Sequence, residues 1–203
     1  TINSYNLIDG IDGLAGGYGI IAMIAFLFLS LSANNLVGLI LCVTIIGSLS
    51  GFLKFNLSRG KRKIFMGDTG SLVVGFLISV IVLINLSSKN DYSQISVNIP
   101  VLVLSILSFP YIDTLRVMFI RKKNKQKFFE PDKNHIHHKL INAGKSHISS
   151  SIIILTVYFS SIVFCILFNY INITVHFTIS LLYSLFSLLT LVFIFNKNDN
   201  NKY

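Results

Sequence analysis

Six long apolar stretches dominate the sequence and limit what the chain can fold into. Each approaches or exceeds the roughly 20 residues that a helix needs to cross a bilayer, and none alternates apolar with polar residues as a barrel strand does. The chain has 53% hydrophobic and 12% charged residues, whereas soluble domains have about 25% charged residues. We therefore predict an all-α, polytopic integral membrane helical bundle with about six transmembrane helices. The predicted spans are 14–33, 36–53, 70–86, 97–112, 149–168 and 173–195. The fourth is the shortest, and its helix could continue into the basic segment that follows.

The connections between these spans alternate in charge. Sixteen of the 17 Lys and Arg residues lie in the segments 54–69 and 113–148 and in the tail 196–203, whereas Lys89 falls on the other side. Basic loops are enriched on the cytoplasmic side of membranes. We therefore expect these three segments, the polar segment 1–13 and both ends of the chain to face the cytoplasm. The net charge of +9 then reflects membrane topology, and no nucleic-acid partner is predicted.

The first polar motif is the opening segment TINSYNLIDGIDGLAGG. Two carboxamides and two carboxylates recur at every third residue, at Asn3, Asn6, Asp9 and Asp12. On a continuous helix this row drifts by about 60° per step, so all four side chains can meet only if the helix breaks, which Gly10 and Gly13 permit. Such a set could bind a hydrated cation, a uracil edge or ribose hydroxyls. The alternative is a helix start with capping acids and glycine-mediated packing.

A second motif, FMGDTGS at 65–71, places Asp68 between two glycines at the start of the third span. Asp68 or Thr69 could simply cap the helix. The functional interpretation is a Mg²⁺ ligand, with the free N–H groups of the helix start facing a diphosphate.

The third motif, PDKNHIHHKL at 131–140, contains three histidines in four positions. Its spacing fits no closed zinc site, and a pH-sensitive loop is another alternative. Near Lys133 and Lys139 the imidazoles suit phosphate oxygens and proton transfer better. The basic run 116–127 that precedes this motif reads as a topology signal against anionic lipid, which is compatible with anchoring a lipid phosphate.

Taken together, NSYNLIDGIDGLAGG, FMGDTGSLVVGF, PYIDTLRV and PDKNHIHHKL resemble, in the same order, the motifs of the polyprenyl-phosphate N-acetylhexosamine-1-phosphate transferases, glycosyltransferase family 4. The forms HIHHKL and DGIDGLAGG are closer to the WecA-like branch than to the MraY-like branch. The resemblance implies transfer of an N-acetylhexosamine phosphate, by default that of GlcNAc, from a UDP-sugar to undecaprenyl phosphate in a bacterial inner membrane. UMP would be released, and the product would begin an O-antigen, common antigen, teichoic acid or capsule polysaccharide.

The resemblance also implies roles for particular residues. Mg²⁺, or Mn²⁺ in its place, would be bound by Asp68 and Asp9. Substrate would be bound by Asn3, Asn6, Lys133, His135, His137 and His138. The catalytic set implied is Asp9, Asp12, Asp68, His137 and His138. Asp113, in the PYIDTLRV motif, is expected to be supporting structure rather than part of the chemistry.

Two features depart from this resemblance. The stretch between Arg121 and Pro131 is unusually rich in lysine. Family members also carry a paired-aspartate motif in an earlier cytoplasmic loop, and this sequence has no counterpart of it, so we expect the chain to be the C-terminal part of a larger transferase. An inactive remnant or scaffold is the main alternative, and a transporter is disfavoured because the spans contain almost no midplane charge. A homodimer is an arrangement that the sequence allows.

Overall fold

The structure, a computed structural model, describes residues 1–87, 91–92, 95, 97–125 and 134–199, the last of these with side chains up to 195. Lys133, predicted to bind substrate, lies outside the described residues. Within them the chain forms eight α-helices, one 3₁₀ turn at Gly60–Arg62 and no strand. The helices are α1 (Ile2–Ile8), α2 (Leu14–Ser32), α3 (Leu36–Asn56), α4 (Gly67–Asn85), α5 (Ile99–Lys123), α6 (Ile136–Asn142), α7 (His147–Leu167) and α8 (Ile173–Asp199).

Six of these helices are long and apolar enough to cross a membrane, which confirms the predicted polytopic helical bundle. Helices α2 and α5 are the most buried of the six within the bundle, whereas α3, α4 and α8 turn large apolar side chains outward. Leu36 on α3, Leu83 on α4 and Phe193 on α8 are each at least 67% exposed. In a multi-pass membrane protein these outward faces meet lipid chains, so their exposure carries no hydrophobic penalty.

Helix α5 extends beyond the predicted span 97–112 and continues into the basic segment as far as Lys123, the alternative that the shortness of this span had left open. The reason is a buried row at Asp113, Val117 and Arg121, spaced four residues apart on one face of the helix. Residues four apart lie above one another on a helix. The charged side chains therefore continue the packed face of α5 instead of ending the helix.

The segment 1–13 likewise differs from the loop that was expected. Residues 2–8 form α1, because Ser4, Tyr5 and Ile8 bury one face of a short helix. Helix α1 packs on α4 so closely that a Cβ on Gly75 would lie 2.9 Å from the Cα of Ile2. The helix then stops at Ile8, and the predicted break follows, with Gly13 in the left-handed region at φ +81°.

A proline inside α5 creates the most unusual contact of the core. Pro110 has no N–H, so the carbonyl of Ile106 lacks its normal helical donor. Two tyrosine hydroxyls replace it: Tyr18 of α2 donates at 3.0 Å and Tyr158 of α7 at 2.9 Å. The two rings also contact each other, with centroids 4.7 Å apart. One carbonyl oxygen of α5 thus joins three membrane helices beneath the polar end of the bundle.

Candidate functional site

The polar motifs meet at one end of the bundle. This end contains the starts of α2, α4 and α7, the ends of α1 and α3, and the last turns of α5. The connections 33–35 and 168–172 lie at the opposite end, where Asn98 binds Asn169 and His176. The alternating direction of the six long helices therefore brings three separated polar segments to one face.

Asn6 joins the first motif to the second. Its side-chain amide donates to Asp68 Oδ1 at 3.1 Å and to Ser71 Oγ at 2.7 Å. Asp68 lies in the first turn of α4, and the N-cap position is occupied by Met66, which makes no side-chain cap hydrogen bond. Capping by Asp68 or Thr69 was therefore the wrong interpretation of this motif. The Asp68 side chain is exposed and faces Asn6 across the groove between α1 and α4.

Asp9 belongs to the same corner as Asp68. It is the C-cap residue of α1 and is partly buried. Burial and, to a smaller extent, the negative charge of Asp68 raise the pKa of Asp9. Two carboxylates that repel one another beside a carboxamide form an oxygen-rich corner, and no Lys or Arg of the described residues forms an ion pair with either acid.

Asp12 points to a different set of partners. Its carboxylate accepts a hydrogen bond from Lys63 Nζ at 2.6 Å and lies 3.3 Å from His147 Nδ1. Its backbone carbonyl accepts a hydrogen bond from Ser151 Oγ at 2.7 Å. The helix break therefore divides the first motif, since Asp9 faces α4 while Asp12 faces the loop before α4 and the start of α7.

Asn56, the last residue of α3, holds this break in place. Its side-chain oxygen accepts from the N–H of Gly13 at 2.8 Å, and its amide donates to the carbonyl of Ile64 at 3.0 Å. Asn56 is buried. It therefore fixes the spacing between the first motif and the segment that leads to Asp68.

The histidine segment packs directly against the break. His137 lies in α6 with only 2% of its surface exposed, and a Cβ on Gly10 would lie 2.2 Å from its Nε2 atom. Its ring centroid is 5.8 Å from that of His135 and 4.2 Å from that of His138. The absence of a side chain at residue 10 is what allows the imidazole to approach the backbone between Asp9 and Asp12.

The buried position of His137 determines its charge. Burial and the neighbouring histidines His138 and His135 lower its pKa to about 3. The ring is therefore neutral near pH 7. Its Nδ1 atom is buried and has no hydrogen-bond partner among the described residues.

Asp113 organises the other side of the histidine segment. Its fully buried carboxylate accepts from Arg116 Nη2 at 2.6 Å and bonds His135 Nδ1 at 2.8 Å. Both carboxylate oxygens also lie 3.3 Å from the N–H of Ile136, the first residue of α6. One acid of α5 thus holds both the His135 ring and the start of the helix that carries His137.

Most of the predicted site residues are brought together. Asn6, Asp9 and Asp68 form one group, while His135, His137 and His138 form another that reaches Gly10. Asn3 is exposed, and the described structure gives its side chain no hydrogen bond to either group. Sequence reasoning did not single out the contributions of Asn56, Lys63, Ser71, His147 and Ser151. Only Lys63 carried a usable signal, as the basic residue five positions before Asp68.

The oxygen-rich corner suits a magnesium ion. Mg²⁺ is typically bound through one or two protein carboxylates, with phosphate and water completing its shell. Asp9 and Asp68 supply two carboxylates whose mutual repulsion a cation would relieve. Over the described ranges no three His, Cys, Asp or Glu side chains cluster as metal ligands, so this part of the chain offers no closed zinc site of the kind weighed for the histidine segment.

Comparison with known proteins identifies a family and several relatives. The sequence profile of glycosyl transferase family 4 matches residues 1–86. The chain is 40% identical, over 152 residues, to a Bacillus subtilis protein named probable undecaprenyl-phosphate N-acetylglucosaminyl 1-phosphate transferase, a match that covers 75% of this chain and 40% of that protein. It is 34% identical over 146 residues to the Escherichia coli undecaprenyl-phosphate alpha-N-acetylglucosaminyl 1-phosphate transferase, covering 71% and 38% of the two chains.

A third relative has a different lipid in its name. The decaprenyl-phosphate N-acetylglucosaminephosphotransferase of Mycobacterium tuberculosis is 32% identical over 160 residues, which cover 72% of this chain and 39% of that protein. The chain thus spans about two fifths of the length of these curated relatives, and no solved structure matches it. The matched profile includes the corner formed by Asn6, Asp9 and Asp68. The chain is a multi-pass membrane protein that belongs to glycosyl transferase family 4.

Proposed function

We propose that this chain supplies the donor-sugar and metal-binding part of a transferase that moves N-acetylglucosamine 1-phosphate from UDP-N-acetylglucosamine to undecaprenyl phosphate. The convergence of Asn6, Asp9 and Asp68 with the histidine segment at one end of a membrane bundle carries the proposal. The names of the three relatives, each an N-acetylglucosamine 1-phosphate transferase on a polyprenyl phosphate, supply the substrate classes.

In the proposed reaction an oxygen of the lipid phosphate forms a bond to the β-phosphorus of the UDP-sugar, and the bond from that phosphorus to the UMP oxygen breaks. One phosphoanhydride replaces another, and UMP leaves. Both reactants are anionic, so catalysis depends on charge neutralisation and alignment. Mg²⁺, or Mn²⁺ in its place, would be held by Asp68 and Asp9 and would neutralise charge on the diphosphate.

Other residues of the site would orient the metal ligands and bind the donor. Asn6 would orient Asp68, and Lys63, whose Nζ lies 2.6 Å from the Asp12 carboxylate, would neutralise that acid. His137 is neutral, so it would bind the donor through hydrogen bonds rather than through charge.

The proposed orientation places this end of the bundle in the cytoplasm of a bacterial inner membrane, where a soluble nucleotide sugar and a membrane lipid can meet. Both native cysteines are buried, which permits a clean labelling test. Lys145→Cys, at the polar end, should be protected from a membrane-impermeant maleimide in intact cells, whereas Asn172→Cys, at the opposite end, should react. The reverse pattern would overturn the orientation.

The function is tested by UMP release from UDP-N-acetylglucosamine and undecaprenyl phosphate in detergent micelles, using this chain or the longer product if its gene encodes one. Asp68→Asn should lower turnover by orders of magnitude and weaken its Mg²⁺ dependence. Asp91→Asn, in the connection at the opposite end, is the matched control and should retain activity. A purified, folded protein that releases no UMP from any UDP-N-acetylhexosamine would refute the proposal.

A further inference from the structure

The buried acid Asp113 makes more contacts than support of a helix requires. It lies in α5, three residues after Pro110, with no exposed surface. Its Oδ1 atom accepts two hydrogen bonds from Arg116, from Nη2 at 2.6 Å and from Nε at 3.1 Å. Arg116 also donates to the backbone carbonyl of Asn134 at 2.6 Å. The pair therefore connects α5 to the segment that enters α6.

The other carboxylate oxygen determines the state of His135. Oδ2 lies 2.8 Å from His135 Nδ1, and an ionised carboxylate can only accept hydrogen bonds. The Nδ1 atom therefore carries a proton, and in the neutral ring Nε2 is left as the acceptor. A carboxylate that fixes one nitrogen of an imidazole in this way sets both the tautomer and the plane of the ring.

The Asp113 carboxylate also accepts hydrogen bonds from the first N–H of α6. His135 occupies the N-cap position and makes no side-chain cap hydrogen bond. The first N–H of the helix, at Ile136, instead faces both oxygens of Asp113 at 3.3 Å. Since α6 has only seven residues, its orientation depends strongly on how this first turn is held.

The orientation of α6 matters for the proposed reaction because this helix carries His137. His137, the second residue of α6, is packed against Gly10 and between the rings of its two neighbouring histidines. We propose that Asp113 is a positioning residue for the donor-sugar site: it fixes the tautomer of His135 and the register of α6, and thereby the placement of His137 against Gly10. This inference rests on the proposed transferase function.

The test uses Asp113→Asn, which keeps the shape of the side chain but replaces one acceptor oxygen with an N–H donor. The amide leaves His135 with a donor opposite Nδ1 or removes an acceptor from Arg116. We expect kcat/KM for the UDP-sugar to fall by about 10- to 100-fold, by analogy with the loss seen when a carboxylate that orients a metal-binding imidazole is removed. The KM for the lipid phosphate should change less than twofold.

A control must separate positioning from loss of stability. His176 is equally buried at the opposite end of the bundle, where its ring contacts Asn98 and the carbonyl of Cys165. His176→Gln should lower the thermal stability without a selective effect on the UDP-sugar. If Asp113→Asn behaves in the same way as His176→Gln, Asp113 is structural only and the proposal is wrong.

A second measurement tests the contact between Asp113 and His135 directly. Nitrogen-15 NMR of the five histidines should show His135 protonated at Nδ1 in the wild type and at Nε2 in Asp113→Asn. In a double-mutant cycle with His135→Ala, the two losses in kcat/KM should not add, because both variants disable the same unit. Additive losses with an unchanged tautomer would overturn the positioning role. A wild-type protein that releases no UMP would instead refute the proposed function itself.

Discussion

The approach of His137 to Gly10 offers the sharpest test of the site, through Gly10→Ala. Gly10 lies in the turn after α1, and its φ is not in the left-handed region, so the backbone itself tolerates alanine. The new Cβ would nevertheless lie 2.2 Å from His137 Nε2, whereas ordinary contact begins at 3.4 Å. The imidazole must therefore retreat by about 1 Å.

The ring has little room in which to do so. His138 lies on one side with a centroid distance of 4.2 Å, and His135 lies stacked at 5.8 Å. Overpacking of a buried site costs about 1–3 kcal/mol, which we expect to lower the Tm by about 2–4 °C for each kcal/mol. If His137 contacts the donor, a displacement of this size should also reduce kcat/KM for the UDP-sugar by about 100-fold.

The assay compares thermal unfolding in detergent and UMP release for Gly10→Ala and Gly47→Ala. Gly47 lies on the outward face of α3, where an added Cβ meets nothing within 4 Å, so its replacement should be neutral or stabilise the helix by about 1 kcal/mol. In a His137→Ala background the stability cost of Gly10→Ala should disappear. Equal stability and equal donor kinetics for Gly10→Ala and Gly47→Ala would refute the packing of His137 against the first motif.

Three further predictions concern other contacts of the structure. Lys63→Met should change the free energy of unfolding by less than about 1 kcal/mol, because its pair with Asp12 is partly exposed. It should nevertheless raise the KM for the UDP-sugar. Lys61→Met, at an exposed neighbouring residue, is the control, and equal KM values would refute the role. Since the pKa of His137 falls from 6.5 to about 3 on folding, the unfolded chain binds a proton that the folded chain does not between these values. Stability should therefore be full above pH 6.5 and decline below it, by at most about 1.4 kcal/mol per pH unit, and the decline should be smaller in His137→Gln. Tyr18→Phe and Tyr158→Phe should each lower the free energy of unfolding by less than about 1 kcal/mol, because the other hydroxyl still donates to the Ile106 carbonyl. The double variant should lose about 1–3 kcal/mol more than the sum of the two single losses. Additive losses in thermal unfolding would contradict this.

The membrane architecture was readable from the sequence because it depends on hydropathy alone. Spans of about 20 apolar residues and the sides of the basic connections require no knowledge of packing. The extension of α5 was harder to place, because the buried row at Asp113, Val117 and Arg121 includes two charged residues. Charges mark a boundary in a hydropathy profile, but here Arg121 is buried and Asp113 is paired with Arg116 inside the protein.

The contents of the site were predicted better than its geometry. The structure brings Asn6, Asp9 and Asp68 of the predicted set together, but the spacing of three between Asp9 and Asp12 gave no sign that the two acids part at the helix break. Asn56 had no signal at all, since a single asparagine at the end of an apolar helix is common. Its role exists only because the fold brings Gly13 within 2.8 Å of its side chain.

The carbonyl of Ile106 has a consequence for the order in which the chain assembles in a bilayer. A backbone oxygen without a donor is costly in hydrocarbon, and α5 alone contains no donor for the Ile106 carbonyl when it enters the membrane. Tyr18 belongs to a helix synthesised earlier, and Tyr158 to one synthesised later. The Tyr18 hydroxyl is therefore already in the membrane when α5 enters, and the Tyr158 hydroxyl provides the second hydrogen bond when α7 follows. Pro110 thus selects, as neighbours of α5, helices that carry a hydroxyl donor for the Ile106 carbonyl.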